Sequence, residues 1–460
     1  RIPLPVMKAV LAFTLTMSIT TGRNTIGGAI KYITRRLGAG KELNLRGRVG
    51  SYGMRDAIVT ASAPLHETLR VGGSLASFNL DGFGDNLYLP GVENYNKDIS
   101  AARASVEWLP GEDWFIRLSA DGQQDDSDLR QGHRMKAGRY SGAPVLANVY
   151  DTRAGNVVPI ADASGLALLA EWAATDQVTL RSILASRRDE TWRPGDFDSL
   201  PTVDVDVSNW DRDQQDSAEL QAIFTTGRWS GVAGLFLLDA SAVSRVEILL
   251  GTTGMVIGRP GLNNLLVSNA DTRNWAVFTD LGYAISDHWS ASLGGRFTHD
   301  ERSVDILRQI LVGGLSPFYG GSGIVASTPS DFAGSATFEK FTPRATLQWQ
   351  PQDHQNVYIS YSEGFRGGGF DPRGLTTLAP DFNGDGQVSE AEVYEFMKFE
   401  PEDVASFEVG WKATLFDGRM SSRLAVFSAD STHVQIPASV AVDNDGDGTA
   451  AQYVGIPTNA

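Results

Sequence analysis

Trp275-Ala276-Val277-Phe278-Thr279-Asp280-Leu281-Gly282-Tyr283-Ala284-Ile285, then Ser286-Asp287, then His288-Trp289-Ser290-Ala291-Ser292-Leu293-Gly294-Gly295-Arg296-Phe297-Thr298 is the stretch on which the fold turns. Trp275, Val277, Leu281, Tyr283 and Ile285 share one face of an extended chain, because successive side chains of a strand alternate. Trp289, Ala291, Leu293, Gly295 and Phe297 repeat the pattern on the return, opposite Ser290, Ser292, Arg296 and Thr298. Each arm holds about 10 residues, the length that crosses a bilayer as a tilted strand, whereas sandwich strands are nearer 5 or 6.

The same alternation recurs along the chain. It predicts about 15 strands, near 42–52, 55–63, 68–78, 99–108, 113–121, 164–173, 177–186, 217–226, 228–239, 274–285, 288–299, 341–350, 355–363, 405–416 and 419–429. Short turns at 109–112, 174–176, 227, 286–287, 351–354 and 417–418 alternate with long loops near 122–163, 187–216, 240–273, 300–340 and 364–404. Short turns at one end and long loops at the other are the topology of an outer-membrane barrel, with turns periplasmic and loops extracellular. Trp108, Trp114, Trp172, Trp229, Trp289 and Trp349 all lie within a few residues of a short turn, where an interfacial aromatic girdle belongs.

Composition narrows the function. The chain has 460 residues, a net charge of −16 and no Cys, which excludes a disulfide scaffold, a thiolate zinc site and a cysteine nucleophile. Its acidic balance speaks against nucleic acid as a partner, since phosphate neutralisation needs Lys and Arg. No apolar run reaches the 18 residues of a transmembrane helix, so a membrane form must be a barrel. The six His are scattered, and neither Gly72-Gly73 nor Gly367-Gly368-Gly369 opens a helix as a phosphate-cradling loop does, so no enzyme is expected.

Three further segments carry a family resemblance. Gly22-Arg23-Asn24-Thr25-Ile26-Gly27-Gly28-Ala29-Ile30 with Lys31-Tyr32-Ile33-Thr34-Arg35-Arg36 resembles the end of the plug domain of TonB-dependent outer-membrane receptors. Tyr358-Ile359-Ser360-Tyr361-Ser362-Glu363-Gly364-Phe365-Arg366-Gly367-Gly368-Gly369-Phe370 resembles a recurring strand and loop start of their barrels. Phe407-Glu408-Val409-Gly410-Trp411-Lys412 and Leu415-Phe416-Asp417-Gly418-Arg419 resemble the hairpin that follows, and the opening hairpin fits as well. The resemblance runs from about residue 22 to 437 and implies an all-β, antiparallel transmembrane barrel with long extracellular loops. About 15 of the family's 22 strands are expected here, so the barrel is read as incomplete.

The domain expectation follows. Residues 1–21, with Met7-Lys8 before an uncharged run, form a signal-like or non-native leader. Residues 22–40 are the remnant of the plug, and 41–460 are the barrel, cut short at the C-terminus. The family's coupling segment, the TonB box, lies in the missing plug region. The resemblance implies localisation in the outer membrane of a Gram-negative bacterium and energised uptake through the TonB complex. The implied cargo is a ferric siderophore or similar iron complex. No substrate-binding residue is named. Arg46, Arg48, Arg103, Arg117, Arg296 and Arg344 are expected to face the lumen and hydrogen-bond the plug. A passive porin and a soluble calcium-binding β-rich surface protein are the alternatives; a plug end argues against the first, the turn parity against the second.

One motif stands apart from the barrel. Asp381-Phe382-Asn383-Gly384-Asp385-Gly386-Gln387-Val388-Ser389-Glu390-Ala391-Glu392 has the twelve-residue EF-hand loop pattern. Asp381, Asn383, Asp385, Gln387, Ser389 and Glu392 occupy its ligand positions and Gly386 its sharp turn. Pro380 stands where an entering helix would end. A structural calcium is expected there, with no cofactor required. Asp443, Asp445 and Asp447 begin a second such run, but Val454 stands at its twelfth position, so this site is weak.

Overall fold

The computed structural model describes residues 10–14, 29–83, 85–92, 94–128, 130, 132–138, 142–146, 149–150, 160–442 and 452–459. The weak second calcium run and most of the leader lie outside them.

One antiparallel sheet of 15 strands dominates, each strand hydrogen-bonded to its neighbours in chain order. The strands are β1 Glu42–Val49, β2 Arg55–His66, β3 Leu69–Leu80, β4 Lys97–Trp108, β5 Trp114–Asp125, β6 Ile160–Thr175, β7 Val178–Asp196 and β8 Asp206–Thr226. Then come β9 Trp229–Leu249, β10 Asn263–Ala284, β11 Trp289–Val312, β12 Ile324–Gln352, β13 Gln355–Arg366, β14 Glu402–Leu415 and β15 Met420–Thr432. Four separate strand pairs stand outside it among the described residues: Val10–Thr14 with Ala29–Ile33, Asp85–Asn86 with Val149–Tyr150, Gly369–Phe370 with Lys398–Phe399, and Gln435–Val442 with Gln452–Asn459.

The connections keep their parity. At one end they are 67–68, 109–113, 176–177, 227–228, 285–288, 353–354 and 416–419; at the other they reach 126–159 and 367–401. The expected loops 187–216, 240–273 and 300–340 are corrected: most of their residues are strand, leaving 197–205, 250–262 and 313–323. β12 alone runs 29 residues. The reason is physical. Apolar alternation marks only the part of a strand that touches lipid, whereas the antiparallel ladder needs only backbone groups and continues beyond it.

The two faces are inverted relative to a soluble sheet. Leu220 and Leu293 are 54% and 65% exposed, while Arg296, Thr298 and Asp300 on the opposite face are 3%, 0% and 0% exposed. Apolar side chains point out and polar ones in, as a lipid-embedded barrel wall requires. The outer band has two borders. Toward the short turns, Trp114 stacks on Trp172 at 5.4 Å, Trp289 on Trp349 at 5.9 Å, and Trp229 meets Tyr283 at 4.6 Å. Toward the long loops, Asp216, Asp239, Arg273 and Glu301 form a row of cross-strand neighbours. From Trp229 to Asp239 on β9 is about 33 Å of strand, or about 25 Å along the membrane normal at a tilt near 40°. That is the height of the hydrocarbon-facing band of such barrels.

The wall does not close on itself. β1 is exposed at every residue, β15 at nearly every one, and neither has an outer strand partner among the described residues.

Candidate functional site

The inner face is polar where the chain enters it. Residues 34–37, which lead into β1 at the short-turn end, lie against β3, β4, β5 and β6. Glu107 on β4 is wholly buried and accepts the Leu37 N–H at 3.1 and 3.0 Å, one per carboxylate oxygen. Arg117 on β5 donates to the same carboxylate through Nε at 2.8 Å and again through Nη2. Arg70 on β3 donates to the Leu37 carbonyl at 2.8 Å. Arg36 donates to Glu171 at 2.5 Å and lies 3.9 Å over the Phe115 ring, and Arg181 donates to Glu171 at 2.8 Å.

This linker clamp went unread in the sequence, although a signal was there. Glu107 with Arg117 and Glu171 with Arg181 each flank a short turn ten residues apart, opposite charges on one hairpin face.

The six expected lumenal arginines divide. Arg103, Arg117, Arg296 and Arg344 lie on the polar face. Arg296 donates to Thr298 Oγ1 at 3.0 Å and sits 5.4 and 5.7 Å over the Phe236 and Phe278 rings. Arg344 is 3.6 Å from Asp280. Arg103 Nε and Arg296 Nη2 are buried without a hydrogen-bond partner among the described residues. Arg46 and Arg48 share the same face but sit exposed on the edge strand β1, where Arg48 pairs with Asp56 at 2.6 Å.

At the long-loop end, residues 367–401 fold back onto this inner face. The helix α1, Glu390–Met397, drives Met397 (1% exposed) among Val304, Ile306, Phe332 and Phe370. Arg302 Nη1 donates to the Gly368 carbonyl at 2.5 Å and Tyr394 to the Ser335 carbonyl at 2.9 Å.

The expected calcium-ligand positions lie in one turn-rich loop ahead of that helix, where their side chains accept backbone N–H groups. Asp381 accepts the Gly384 and Gly386 N–H groups at 2.7 Å each, Asn383 that of Asp385 and Asp385 that of Gln387 at 2.8 Å. Gly384 and Gly386 have φ of 75° and 85°, a conformation glycine adopts at no steric cost. Glu392 turns back into the loop, accepting from Asn383 N at 3.0 Å and Ser389 N at 2.8 Å, and completes a capping box with Ser389. The Ser389 N–H, then its hydroxyl, hold the Glu392 carboxyl below its ordinary pKa.

A group of three carboxylates, not expected from the sequence, joins Asp196, Asp198 and Asp206 where β7 and β8 meet loop 197–205. Burial, then the charge of Asp198, push Asp196 up to about 7. A raised carboxyl pKa means that the folded loop binds a proton the unfolded chain releases near pH 4. The stabilisation is therefore complete below about pH 4 and lost as pH rises toward 7. Hydrogen exchange of residues 197–205 is expected to quicken from pH 5 to pH 8 beyond its intrinsic base dependence. D196N removes that extra dependence; a D196N profile matching the native one would refute the assignment.

The family described as TonB dependent receptor-like, beta-barrel, matches residues 67–460. The chain belongs to this family. Among solved structures, this TonB-dependent receptor-like barrel is similar to the ferric yersiniabactin uptake receptor FyuA of Yersinia pestis, with TM-score 0.66 and 17% identity over 89% of this chain and 57% of that one. It is also similar to the alcaligin outer-membrane receptor FauA of Bordetella pertussis, with TM-score 0.58, 13% identity and coverage of 95% and 60%. The ferric-catecholate import receptor Fiu of E. coli K12, in its closed form, gives TM-score 0.59, 16% identity and coverage of 94% and 63%. At such identities the likeness is one of fold. The receptor-family chain spans less than two thirds of the length of each of these proteins. No curated protein matches it by sequence.

Proposed function

We propose that the chain forms the barrel wall of an outer-membrane receptor of a Gram-negative bacterium that takes up a ferric siderophore or similar iron complex, energised by TonB. The inverted wall of a family member is the observation that carries the reading. A wide, polar-lined wall leaks unless filled, and residues 34–37 are pinned to its inner face as the end of a plug would be. The buried donors Arg103 Nε and Arg296 Nη2 support further plug contacts on that face. Iron as cargo rests on two of the similar proteins, named as a ferric yersiniabactin uptake receptor and a ferric-catecholate import receptor. The test is accumulation of radio-labelled iron by iron-starved cells carrying or lacking the complete gene, with the energy-coupling complex intact or deleted. Uptake is expected to need both. Uptake that persists without the coupling complex would make this a passive channel, and unchanged uptake without the gene would remove iron as cargo.

We further propose that residues 381–392 hold a structural calcium on the extracellular side. Asp381, Asn383, Asp385 and Glu392 supply side-chain oxygens, Gln387 its carbonyl, and Ser389 a hydroxyl. The ion would tie the loop to the helix whose far end packs on β11 and β12.

A further inference from the structure

We propose, on the energised uptake read above, that the linker clamp is a mechanical stop. When the chain ahead of it is pulled toward the short-turn end, the segment up to Ile33 yields while residues 34–37 stay fixed to the wall.

The two sides of this boundary are built differently. Ahead of it, Ala29–Ile33 pairs antiparallel with Val10–Thr14, and neither strand joins the 15-stranded sheet. A two-stranded pair on its own is marginally stable at best in water. Val10 pairs with Ile33 and Thr14 with Ala29, so the incoming and outgoing ends of the pair lie side by side. A pull on Val10 against a fixed Thr34 therefore opens the pair one rung at a time.

Behind the boundary the linker is held on four strands at once. Leu37 is held three ways: its N–H by Glu107 on β4, its carbonyl by Arg70 on β3, and its side chain by burial over Gly72 on β3. A Cβ at Gly72 would come within 2.6 Å of Leu37 Cδ2, so only glycine leaves room for that side chain. Arg36 reaches Glu171 on β6 and lies over the Phe115 ring on β5. Arg117 on β5 adds long bonds to the Thr34 and Arg35 carbonyls. A pull along the barrel axis loads these contacts together rather than in turn, and a unit that opens only as a whole opens rarely. The Glu107–Arg117 pair at its centre is buried, so salt screens it little. A stop here keeps the end of the plug on the wall while the chain ahead of it moves, and gives that chain a fixed point from which to refold.

The test uses single cysteines in the complete receptor, to which this chain contributes none of its own. I30C lies in the strand pair and T34C at the first held residue. The Thr34 side chain makes no hydrogen bond among the described residues, and the clamp uses only its carbonyl, so T34C leaves the contacts in place. Reaction with a maleimide that enters the periplasm is timed in iron-starved cells with the coupling complex intact or deleted. I30C is expected to react about tenfold faster with the complex, and T34C to change by less than about twofold, because only the first segment opens. L37A empties the space over Gly72 and leaves Glu107 paired with Arg117. R70Q removes the donor to the Leu37 carbonyl. Both are expected to make T34C respond to the complex, L37A more than R70Q, and heat-dependent electrophoretic mobility reports whether each wall is folded. T34C accelerating as much as I30C in the native receptor overturns the stop. So does a T34C that ignores the complex in whichever of the two variants folds. An I30C that ignores the complex would instead remove the energised reading, and the stop with it.

Discussion

Replacing Glu107 by Ala is expected to destabilise the wall by about 3–5 kcal/mol, the range for breaking a buried ion pair from one side. The Glu107 side chain is 1% exposed and that of Arg117 11% exposed. Without the carboxylate, the Arg117 charge keeps only two long bonds, to the Thr34 carbonyl at 3.5 Å and the Arg35 carbonyl at 3.4 Å. The Leu37 N–H loses both of its acceptors in the same step. E107Q retains an acceptor for Leu37 but no charge for Arg117, so an intermediate loss is expected. The double variant E107A/R117A is expected to recover part of the E107A loss, because no uncompensated charge remains. Urea unfolding in detergent, followed by tryptophan fluorescence, reads all three, and hydrogen exchange at residues 34–37 localises the effect. A loss below about 0.5 kcal/mol for E107A, the scale of a surface substitution, would show that the clamp does not hold the linker.

Calcium is expected to protect residues 367–401 from proteolysis at millimolar concentration, in line with the weak sites of extracellular modules. E392A is expected to abolish the protection, because Glu392 serves two roles. Its carboxylate stands at the bidentate ligand position, and it closes the capping box at the start of α1. E392A removes only the return bond from Glu392 to the Ser389 N–H, with or without the ion, and leaves Ser389 as the N-cap. D381N separates the two: it weakens the ligand set, leaves the Ser389–Glu392 box intact, and should remove only the calcium-dependent part. Protection that is the same in chelator and in calcium would refute the site. Protection unaffected by D381N would mean that the ion acts elsewhere.

Local pattern made much of this protein legible. A period of two over Trp275–Thr298, a two- to five-residue turn, and a tryptophan beside it suffice to place a hairpin and its faces. The physical basis is that alternation across a strand is a property of the backbone alone. The calcium-type loop was readable for a similar reason, since its ligand positions lie within twelve consecutive residues. Strand length above the bilayer was not legible, because there neither face is selected by lipid and the pattern loses contrast.

What the sequence by itself determined is therefore the order of strands, which side chains face lipid, and the end at which the long loops emerge. Tertiary structure alone decided which distant groups meet. Leu37 reaches Glu107 across 70 residues, loop 367–401 folds onto the inner rather than the outer face, and Asp196 shares a half-buried corner with Asp198 and Asp206. These contacts depend on pairing across the ladder, and a one-residue slip in register would send each to the opposite face.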